Sequence, residues 1–499
     1  MTRENTNRMT YRTKTPRRHV INLLAVAGLV LSASAGGAPN ILIILADDMG
    51  TEVLSSYGFG NPTAVTPTLD RLAAEGIRFE RFWSQPTCTP SRAAALTGRY
   101  AHRTGVAGPL RHYWALLDAP TPEPPAHATT ELYYTPLELA ESGEAEVTKP
   151  PPPPLPDGRS RGLSTQEILL PRVLKSLSEP YATAAIGKWH LTDLVNGGVD
   201  HPNEAGFDYY SGSLFGLPAS YFAWRHVENG ILTAESGYID RRVTQDAIRW
   251  IGEQGEAPWF LWLSFSNPHA PVHLPPGDLL HSEARNLEPN IQGEENNRAY
   301  FLAQVEAMDT LIGQLLGGIP PDVMENTYVI FLGDNGTDKW ADPPAPRDAT
   351  RVKMSVYEGG VNVPLIVTGP GIAGGRVERP LAHVVDLFAT VLELAEADLK
   401  TVLPRSLTID SVSMASYLFE EDLPSRRAWV LSEGRVGTFD GTAIRDERYK
   451  LLVMNGREEF YDVEADPNEL RPLALRSLSA EARNSYDRLR GLVDNVVSE

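Results

Sequence analysis

Runs of consecutive apolar residues alternate with stretches of helical periodicity through most of the chain. Residues 39–46 form an uninterrupted apolar, β-branched run, which is typical of a strand buried on both faces of a parallel sheet. Further strands are predicted at 181–186, 259–265, 327–332 and 364–368. Helices are predicted at 68–75, 88–98, 164–177, 239–254, 298–316 and 384–395. The alternation predicts an α/β fold with a large, mostly parallel sheet flanked by helices.

The pattern changes after about residue 405. Residues 428–463 contain four short strand-like runs separated by turns, and 480–495 have helical periodicity. This predicts a smaller C-terminal antiparallel sheet plus a helix, at 406–499, after a larger domain at 36–405. A proline-rich stretch at about 118–161 is predicted to be a surface insertion in the larger domain.

The first 35 residues have the order of segments found in a signal peptide. Residues 1–19 are polar and basic, 20–31 are apolar, and Ala33-Ser34-Ala35 fits a cleavage site. A disordered tail before a buried strand explains this order less well. No other apolar run is long enough for a membrane helix. We therefore expect an exported protein, periplasmic or secreted, without stable membrane insertion.

Composition narrows the class of protein. The chain has 499 residues, 42% of them hydrophobic, and can bury a large globular core. Its formal net charge of −19 argues against a nucleic-acid partner, because proteins that bind nucleic acid usually present a basic face. Cys88 is the single cysteine, so the chain has no internal disulfide even though an exported protein could form one.

Acidic and amide side chains follow two of the predicted strands directly. Asp47 and Asp48 end the first strand, and Asp334 and Asn335 end the strand near residue 330. Ligands of open α/β sheets bind beyond the carboxyl ends of the strands. An all-oxygen group suits a hard cation, Ca²⁺ or Mg²⁺. For either pair alone a turn or helix cap is the simpler explanation, but two such pairs favour a metal site.

Two further strand ends carry basic side chains. Lys188 and His190 follow the strand near 185, and residues two apart in an extended segment face the same way. His269 follows the strand near 262, and His273 four residues later is a weaker candidate. A lone histidine is more often structural, but two at strand ends make an acid–base pair plausible because imidazole titrates near neutral pH.

The segment around Cys88 is the most specific in the chain. Thr89 is a suitable N-cap and Pro90 fits the first helical position, with alanines continuing the helix. Cys88 is therefore expected just before a helix N-terminus, where the helix dipole and free N–H groups favour an anion. Such a position ordinarily indicates a reactive thiolate.

Taken together, these motifs resemble those of the formylglycine-dependent sulfatases, within the alkaline phosphatase superfamily. The sequence CTPSR at 88–92 matches the family signature C-x-P-S-R for converting cysteine to formylglycine. AAIGKWHL, NPHAP, FLGDNG, KMSVYEGG at 353–360 and FYDVEADPNEL at 460–470 also match, so the similarity spans about 38–470. The resemblance makes the larger domain catalytic and implies a sulfuric ester hydrolase that needs a formylglycine-generating maturation enzyme.

The resemblance also implies the cofactors. One Ca²⁺ ion would be held by four side chains and by an oxygen of residue 88 after Cys88 becomes 3-oxoalanine (formylglycine). The four are Asp47, Asp48, Asp334 and Asn335. The hydrated aldehyde would attack sulfur through one hydroxyl, and loss of the proton from the second would expel sulfate.

The remaining roles implied by the resemblance belong to basic residues. Arg92 would polarise the diol, while Lys188 and Lys353 would bind the sulfate oxygens. His269, with Lys353, would protonate the leaving oxygen, and His190 would take the diol proton. Without the resemblance, Lys353 would be taken for a surface lysine. The segment 357–360 is expected to shape a loop.

Three alternatives remain at this point. The nearest is a formylglycine-dependent phosphonate or phosphate ester hydrolase, against which the contexts of His190 and Lys353 favour sulfate. A binding protein that kept the fold but lost catalysis would lack a ligand or the cysteine, and neither is missing. A thiol enzyme would not need the carboxylate cluster. The sequence does not distinguish a sulfated carbohydrate from an aryl or other small-molecule sulfate as substrate.

Overall fold

A computed structural model describes most of the chain. The described residues are 37–60, 62–110, 162–193, 196–218, 220–289, 297–341, 348–436 and 439–496. The predicted signal peptide at 1–35 and the predicted insertion at about 118–161 lie outside these residues. Both of those predictions therefore stay predictions. The domain boundary near 405 lies within the described residues and also stays a prediction.

Sixteen strands lie within the described residues. They are β1 (Asn40–Ala46), β2 (Ile77–Phe79), β3 (Phe82–Trp83), β4 (Ala182–Gly187), β5 (Tyr209–Gly212), β6 (Ala223–Glu228), β7 (Ile231–Ser236), β8 (Trp259–Ser264), β9 (Thr327–Gly333), β10 (Leu365–Thr368), β11 (Arg376–Glu378), β12 (Ala382–His383), β13 (Val430–Val436), β14 (Phe439–Arg445), β15 (Tyr449–Met454) and β16 (Arg457–Asp462).

The helices of the described chain range from one turn to six. They are α1 (Pro67–Glu75), α2 (Cys88–Thr97), α3 (Ala101–Thr104), α4 (Leu170–Lys175), α5 (His201–Glu204), α6 (Ile239–Gly252), α7 (Asn297–Gly318), α8 (Pro321–Glu325), α9 (Glu358–Val361), α10 (Leu387–Leu394), α11 (Leu399–Val402), α12 (Ala415–Phe419) and α13 (Ala480–Val496). None of the helices in the described ranges combines the length and apolar character needed to cross a membrane.

The large sheet has ten strands in the order β11-β2-β10-β9-β1-β8-β4-β5-β6-β7. Its centre, β9-β1-β8-β4-β5, is parallel, while β10 and β6 pair antiparallel with the two outer strands of that centre. The prediction of an α/β fold with a large sheet flanked by helices is confirmed. The sheet is mixed, because β10 and β6 add antiparallel strands on the two sides of the parallel centre.

Strand β1 explains why the core has two halves. Its alternate side chains point to opposite faces of the sheet. Ile41, Ile43 and Leu45 pack with residues of α2, α4 and α10, while Leu42 and Ile44 pack with residues of α1, α6 and α7. Every residue of β1 is buried, so the strand needs apolar side chains on both faces. This is the physical reason for its uninterrupted apolar run.

The C-terminal part contains the predicted antiparallel sheet, in the order β13-β14-β15-β16, followed by α13. Its inward side chains form a third apolar cluster with Trp83, Val356 and Val361 of the larger part of the fold. The segment that follows Lys353 is therefore covered by the C-terminal sheet.

Two local predictions are wrong. The helix expected at 164–177 is confined to Leu170–Lys175, because Pro171 favours the first turn of a helix and the preceding residues form turns. The α2 helix begins at Cys88, the first residue of the predicted range 88–98, but its N-cap is Thr87 and not Thr89, so Cys88 lies inside the helix and not before it. The Thr89 hydroxyl does not cap the helix and instead accepts a hydrogen bond from the Leu110 amide at 3.1 Å.

Candidate active site

Four neighbouring parallel strands end at one edge of the sheet and place polar residues there. Backbone hydrogen bonds continue the pairing past the strand ends, from Asp47 to Asn267, from Asp334 to Ala46 and from Lys188 to Ser264, at 2.9–3.1 Å. These bonds fix the direction in which the side chains leave the strands. The predicted site residues of β1, β9 and β4 thus meet in one buried cleft.

The carboxylate and amide groups after β1 and β9 contact one another. The Asp48 amide donates to Asp334 Oδ1 at 3.1 Å, and Asn335 Nδ2 donates to Asp48 Oδ1 at 2.8 Å. All four side chains of the predicted metal set are buried, with Asp47 included. Two of their oxygens, Asp47 Oδ1 and Asn335 Oδ1, have no hydrogen-bond partner in the described chain. Buried oxygens without partners are costly unless a cation or water binds them.

Charge around the two neighbouring aspartates is distributed unevenly. Burial, opposed mainly by Lys188, raises the pKa of Asp47 well above its usual value. Burial also acts to raise the pKa of Asp48, but the basic side chains around it, among them the hydrogen-bonded Lys353, outweigh burial and lower this pKa to about 2. Burial therefore disfavours the ionised form of Asp47, and a nearby cation would favour it.

Cys88 occupies the first turn of α2, at the bottom of the cleft. Its Sγ lies 3.3 Å from His190 Nδ1, and it shares a group of atoms within 4.8 Å of one another with Asp47 and Asp334. Burial raises the pKa of the thiol to about 12. The site therefore does not favour a thiolate, which argues against the thiol-enzyme alternative.

Ser91 shapes the turn that presents Cys88. Its hydroxyl contacts the carbonyl oxygens of Gln85 and Thr87 at 3.2 and 3.0 Å and accepts the Gln85 amide at 3.1 Å. These contacts fold the chain back just before the helix. The serine of the CTPSR segment thus has a structural role that the sequence alone did not suggest.

Arg92 lies one turn further along α2 and is fully buried. It donates to Asp334 Oδ2 through Nε and Nη2, at 3.0 and 2.8 Å. Its Nη1 donates to the Lys188 carbonyl at 2.9 Å and to Ser264 Oγ at 2.7 Å. One guanidinium group therefore joins the α2 helix to the ends of β9, β4 and β8.

The two lysines neutralise the acidic cluster. Lys188 Nζ contacts Asp47 Oδ2 directly. Lys353 Nζ donates to Asp48 Oδ2 at 2.7 Å and lies 3.1 Å from His269 Nε2. Lys353 comes from the segment between β9 and β10, and the structure brings it into the same cleft. Its side chain is only 7% exposed, so it is not a solvated surface lysine.

The two histidines carry the ring hydrogen on different nitrogens. His190 Nε2 lies 3.1 Å from the Leu110 carbonyl, so it carries the hydrogen and leaves Nδ1 as an acceptor towards Cys88. His269 Nδ1 lies 2.9 Å from the Ala270 carbonyl, so Nε2 accepts from Lys353. Burial lowers the pKa of His269 well below its usual value, which makes the neutral ring the stable form.

Three residues at or beside the site have a strained backbone. Asp48, His190 and Met354 adopt φ angles of 64°, 55° and 67°, in the left-handed region that residues other than glycine rarely occupy. Each such residue costs about 1–2 kcal/mol. Strained conformations of this kind cluster at functional sites, where surrounding contacts hold them in place.

The structure adds residues that the sequence analysis missed. Asp240, at the start of α6, accepts the amides of Ser266 and Asn267 at 2.9 Å each and so holds the turn before His269. The Tyr221 hydroxyl donates to the carbonyl of His269, at 2.7 Å. Both residues precede or follow short antiparallel strands and carry no sequence signal that would link them to His269.

His273 lies outside the group of candidate catalytic and metal-binding residues. Its Nε2 contacts the Tyr238 hydroxyl at 3.0 Å, its Nδ1 lies 2.9 Å from the Pro271 carbonyl, and its ring centroid lies 4.0 Å from that of Tyr221. Burial lowers its pKa to about 3. The neutral ring is a packing element behind the His269 turn.

Comparison with known proteins agrees with this arrangement. A family model described as Sulfatase matches residues 39–397. N-acetylgalactosamine-6-sulfatase of Canis lupus familiaris is 32% identical over 399 residues, which cover 74% of this chain and 65% of that protein. Arylsulfatase G of Homo sapiens is 26% identical over 490 residues, covering 87% and 79%. The chain thus spans about two thirds of the length of the first of these relatives.

The fold is also shared with solved structures. The crystal structure of Ps i-CgsB superposes with a TM-score of 0.69 at 24% sequence identity, covering 91% of this chain and 92% of that one. The residues matched by the family model include all the candidate site residues, from Asp47 to Lys353. The chain belongs to the sulfatase family of sulfuric ester hydrolases.

Proposed function

We propose that this chain is an exported, calcium-dependent sulfatase that hydrolyses an aryl or carbohydrate sulfate ester to an alcohol and inorganic sulfate. A formylglycine-generating enzyme would first convert Cys88 to 3-oxoalanine. The observation that carries the proposal is the position of Cys88, whose Sγ lies beside the oxygens of Asp47 and Asp334 and 3.3 Å from His190 Nδ1. A nucleophile at residue 88 would thus have a cation site on one side and a proton acceptor on the other.

The donor set fits a hard cation. Asp47, Asp48, Asp334 and Asn335 offer only oxygen atoms at the candidate metal site, and the oxygens without partners, Asp47 Oδ1 and Asn335 Oδ1, belong to this set. Calcium, chosen over magnesium because of the family, would supply positive charge that polarises a sulfate oxygen and the nucleophile. Lys188 and Lys353 hold the carboxylates now, and a cation would compete with them for Asp47 and Asp48.

The basic groups would bind the anionic substrate. A hydrated aldehyde at residue 88 would supply two hydroxyl groups, one to attack sulfur and one whose deprotonation releases sulfate. Arg92 is held in place by its ion pair with Asp334 and would orient the side chain of residue 88. Lys188 and Lys353, once they face substrate, would stabilise the charge that develops on the sulfate oxygens.

Proton transfer would use the two histidines from opposite sides. The acceptor Nδ1 of His190 already faces residue 88 and is placed to take a hydroxyl proton. Across the cleft, Lys353 Nζ donates to the neutral His269 Nε2, so the proton of this pair lies on the lysine. The leaving oxygen would receive its proton from this Lys353–His269 pair.

The substrate class is argued from a relative, and the location from the first residues of the sequence. The relative named N-acetylgalactosamine-6-sulfatase favours a sulfated carbohydrate. Export is supported by the signal-peptide pattern of residues 1–35. Sequencing the mature N-terminus of protein recovered from the periplasm or medium would test export, and recovery of the unprocessed chain in the cytoplasm would contradict it.

The proposal is tested by two measurements on one preparation. The protein is produced with a formylglycine-generating enzyme, and the tryptic peptide from Phe82 to Arg92 is analysed by mass spectrometry. Sulfate release from aryl and sugar sulfates is measured in parallel, with Cys88→Ala as the control. We expect an aldehyde in place of the thiol and activity that the control lacks.

Two results would overturn the proposal. An intact Cys88 thiol, under conditions that convert a known sulfatase, would remove the formylglycine mechanism. A converted enzyme that hydrolyses phosphonate esters faster than matched sulfate esters would favour the phosphonate or phosphate ester hydrolase instead.

A further inference from the structure

The loop that carries Lys353 lies between the cleft and the C-terminal sheet. On its cleft side, the Lys353 amide donates to the Thr337 carbonyl at 3.0 Å and the Met354 amide donates to the Pro86 carbonyl at 2.9 Å. The Gly336 amide donates to the Gly360 carbonyl at 2.9 Å. The loop therefore touches both the segment after the candidate metal ligands and the segment before Cys88.

The other side of the loop contacts two residues of the C-terminal part. The Glu358 amide donates to Glu469 Oε2, and Glu358 Oε1 accepts from Lys450 Nζ at 3.2 Å. Lys450 Nζ also pairs with Glu469 Oε1 at 2.8 Å. Lys450 is completely buried and Glu469 is 1% exposed, so this is an internal connection and not a surface ion pair.

Neighbouring side chains reinforce the connection. The Tyr357 hydroxyl donates to Glu459 Oε2 at 2.8 Å. Arg445 Nη1 lies 3.4 Å from Glu358 Oε1, and Lys450 Nζ lies 4.6 Å from the centroid of the Trp83 ring. The carboxylates of Glu358 and Glu469 are thus neutralised by Lys450 and Arg445 in the protein interior. Each buried ion depends on its partners, because removing one leaves an uncompensated charge.

Glu469 has a geometry that only a carboxylate satisfies. One oxygen accepts the Glu358 amide and the other faces the Lys450 ammonium group, so both neighbours are donors. A glutamine in its place has one acceptor oxygen and one donor nitrogen. It can therefore satisfy one neighbour only, and it would face the other with a second donor.

We infer that Lys450, in β15 of the C-terminal sheet, and Glu469, in the segment after β16, are positioning residues for Lys353. They fix the start of α9, and through the short segment 354–357 they hold the Lys353 side chain at Asp48 and His269. The inference deepens the proposed function and rests on it, because Lys353 matters only if it acts on the substrate. It also gives a role to the sequence DPNEL at 466–470, which contains none of the candidate catalytic or metal-binding residues.

The test combines amide exchange with a double-mutant cycle on the full-length, converted enzyme. In Glu469→Gln, we expect faster hydrogen exchange in peptides covering 353–360 and a loss of kcat of about 10- to 100-fold, as for a misplaced reacting group. In a Lys353→Ala background, the same substitution should change kcat by less than about twofold, since the group it positions is gone.

Glu458→Gln is the matched control, because Glu458 lies in β16, shortly before Glu469, but contacts Tyr486 and Arg490 of α13. It should leave both the exchange of 353–360 and kcat unchanged. Tyr357→Phe is the milder variant if Glu469→Gln does not fold, and it should shift both readouts in the same direction.

Unchanged exchange at 353–360 in Glu469→Gln, or a kcat loss that persists in the Lys353→Ala background, would overturn the inference. Full activity of Lys353→Ala itself would instead contradict the proposed function, and the exchange measurement would still report whether Glu469 holds the loop.

Discussion

Arg92 donates two hydrogen bonds to a single carboxylate oxygen of Asp334, at 3.0 and 2.8 Å, with both side chains fully buried. The pair ties the first turns of α2 to the end of β9. Because the remaining Nη1 group binds Lys188 and Ser264, the guanidinium has no group free to turn towards solvent. The position of Cys88 relative to the carboxylates therefore depends on this pair.

Replacing Arg92 with methionine is expected to destabilise the fold strongly. The substitution leaves the Asp334 carboxylate buried without its cationic partner, which typically costs about 3–5 kcal/mol. Urea unfolding of the metal-free protein measures this loss. Arg99→Met is the control, since Arg99 pairs with Glu167 near the surface and its loss should cost about 1 kcal/mol or less. Equal losses in the two variants would contradict the role assigned to Arg92.

The parts of the fold that the sequence predicts well are those where one physical requirement dominates. Strand β1 and strand β9 are buried throughout, so their apolar runs and their ends could be read directly. Since parallel strands end at a common edge, the residues after them could be placed together without a structure. The cleft formed by Asp47, Asp334 and Lys188 follows from this rule.

Other features depend on contacts between distant segments, and these leave no local pattern. Thr89 has the side chain of an N-cap, yet its hydroxyl binds the Leu110 amide, and the observed N-cap is Thr87, two residues earlier. Asp240 reads as an acidic residue in the first turn of a helix, and nothing near it indicates that it holds the amides before His269. The burial of Lys353 could be inferred only from the family resemblance.

Calcium is expected to raise the melting temperature of the protein through Asn335. A ligand that binds only the folded state stabilises it by about 2.7 kcal/mol at a hundred times its dissociation constant. Asn335→Ala removes a buried oxygen that has no protein partner in the described residues, so it should need a higher calcium concentration for the same rise. Thermal unfolding across a calcium titration provides the measurement.

Asn326→Ala is the matched control for this titration. Asn326 precedes β9 at the opposite end of the strand from Asn335, and its side chain donates to the Gly37 carbonyl at 3.3 Å. Its calcium dependence should follow that of the unsubstituted protein. Identical titration curves for all three proteins would show that Asn335 is not a ligand.

His269→Gln should slow the enzyme most on substrates with poor leaving groups. General acid catalysis contributes about 10²–10⁴-fold, and that help is needed only when the departing oxygen is basic. For a series of aryl sulfates, log kcat/KM should fall more steeply with leaving-group pKa in the variant. His273→Gln serves as the control, since His273 contacts Tyr238 and not Lys353. A parallel slope in His269→Gln would contradict proton donation by the Lys353–His269 pair.

Asp240 should make the stability of the protein fall between weakly acidic and neutral pH. Burial raises its pKa from an ordinary 3.8 to about 7, even though it accepts the amides of Ser266 and Asn267. The folded state therefore keeps a proton that the unfolded chain releases, and this contribution is lost as the pH rises towards 7. Asp240→Asn cannot ionise, so its free energy of unfolding should decline less from pH 5 to pH 8 than that of the unsubstituted protein. Urea unfolding at both pH values gives the comparison, and equal declines would mean that Asp240 does not titrate in this range.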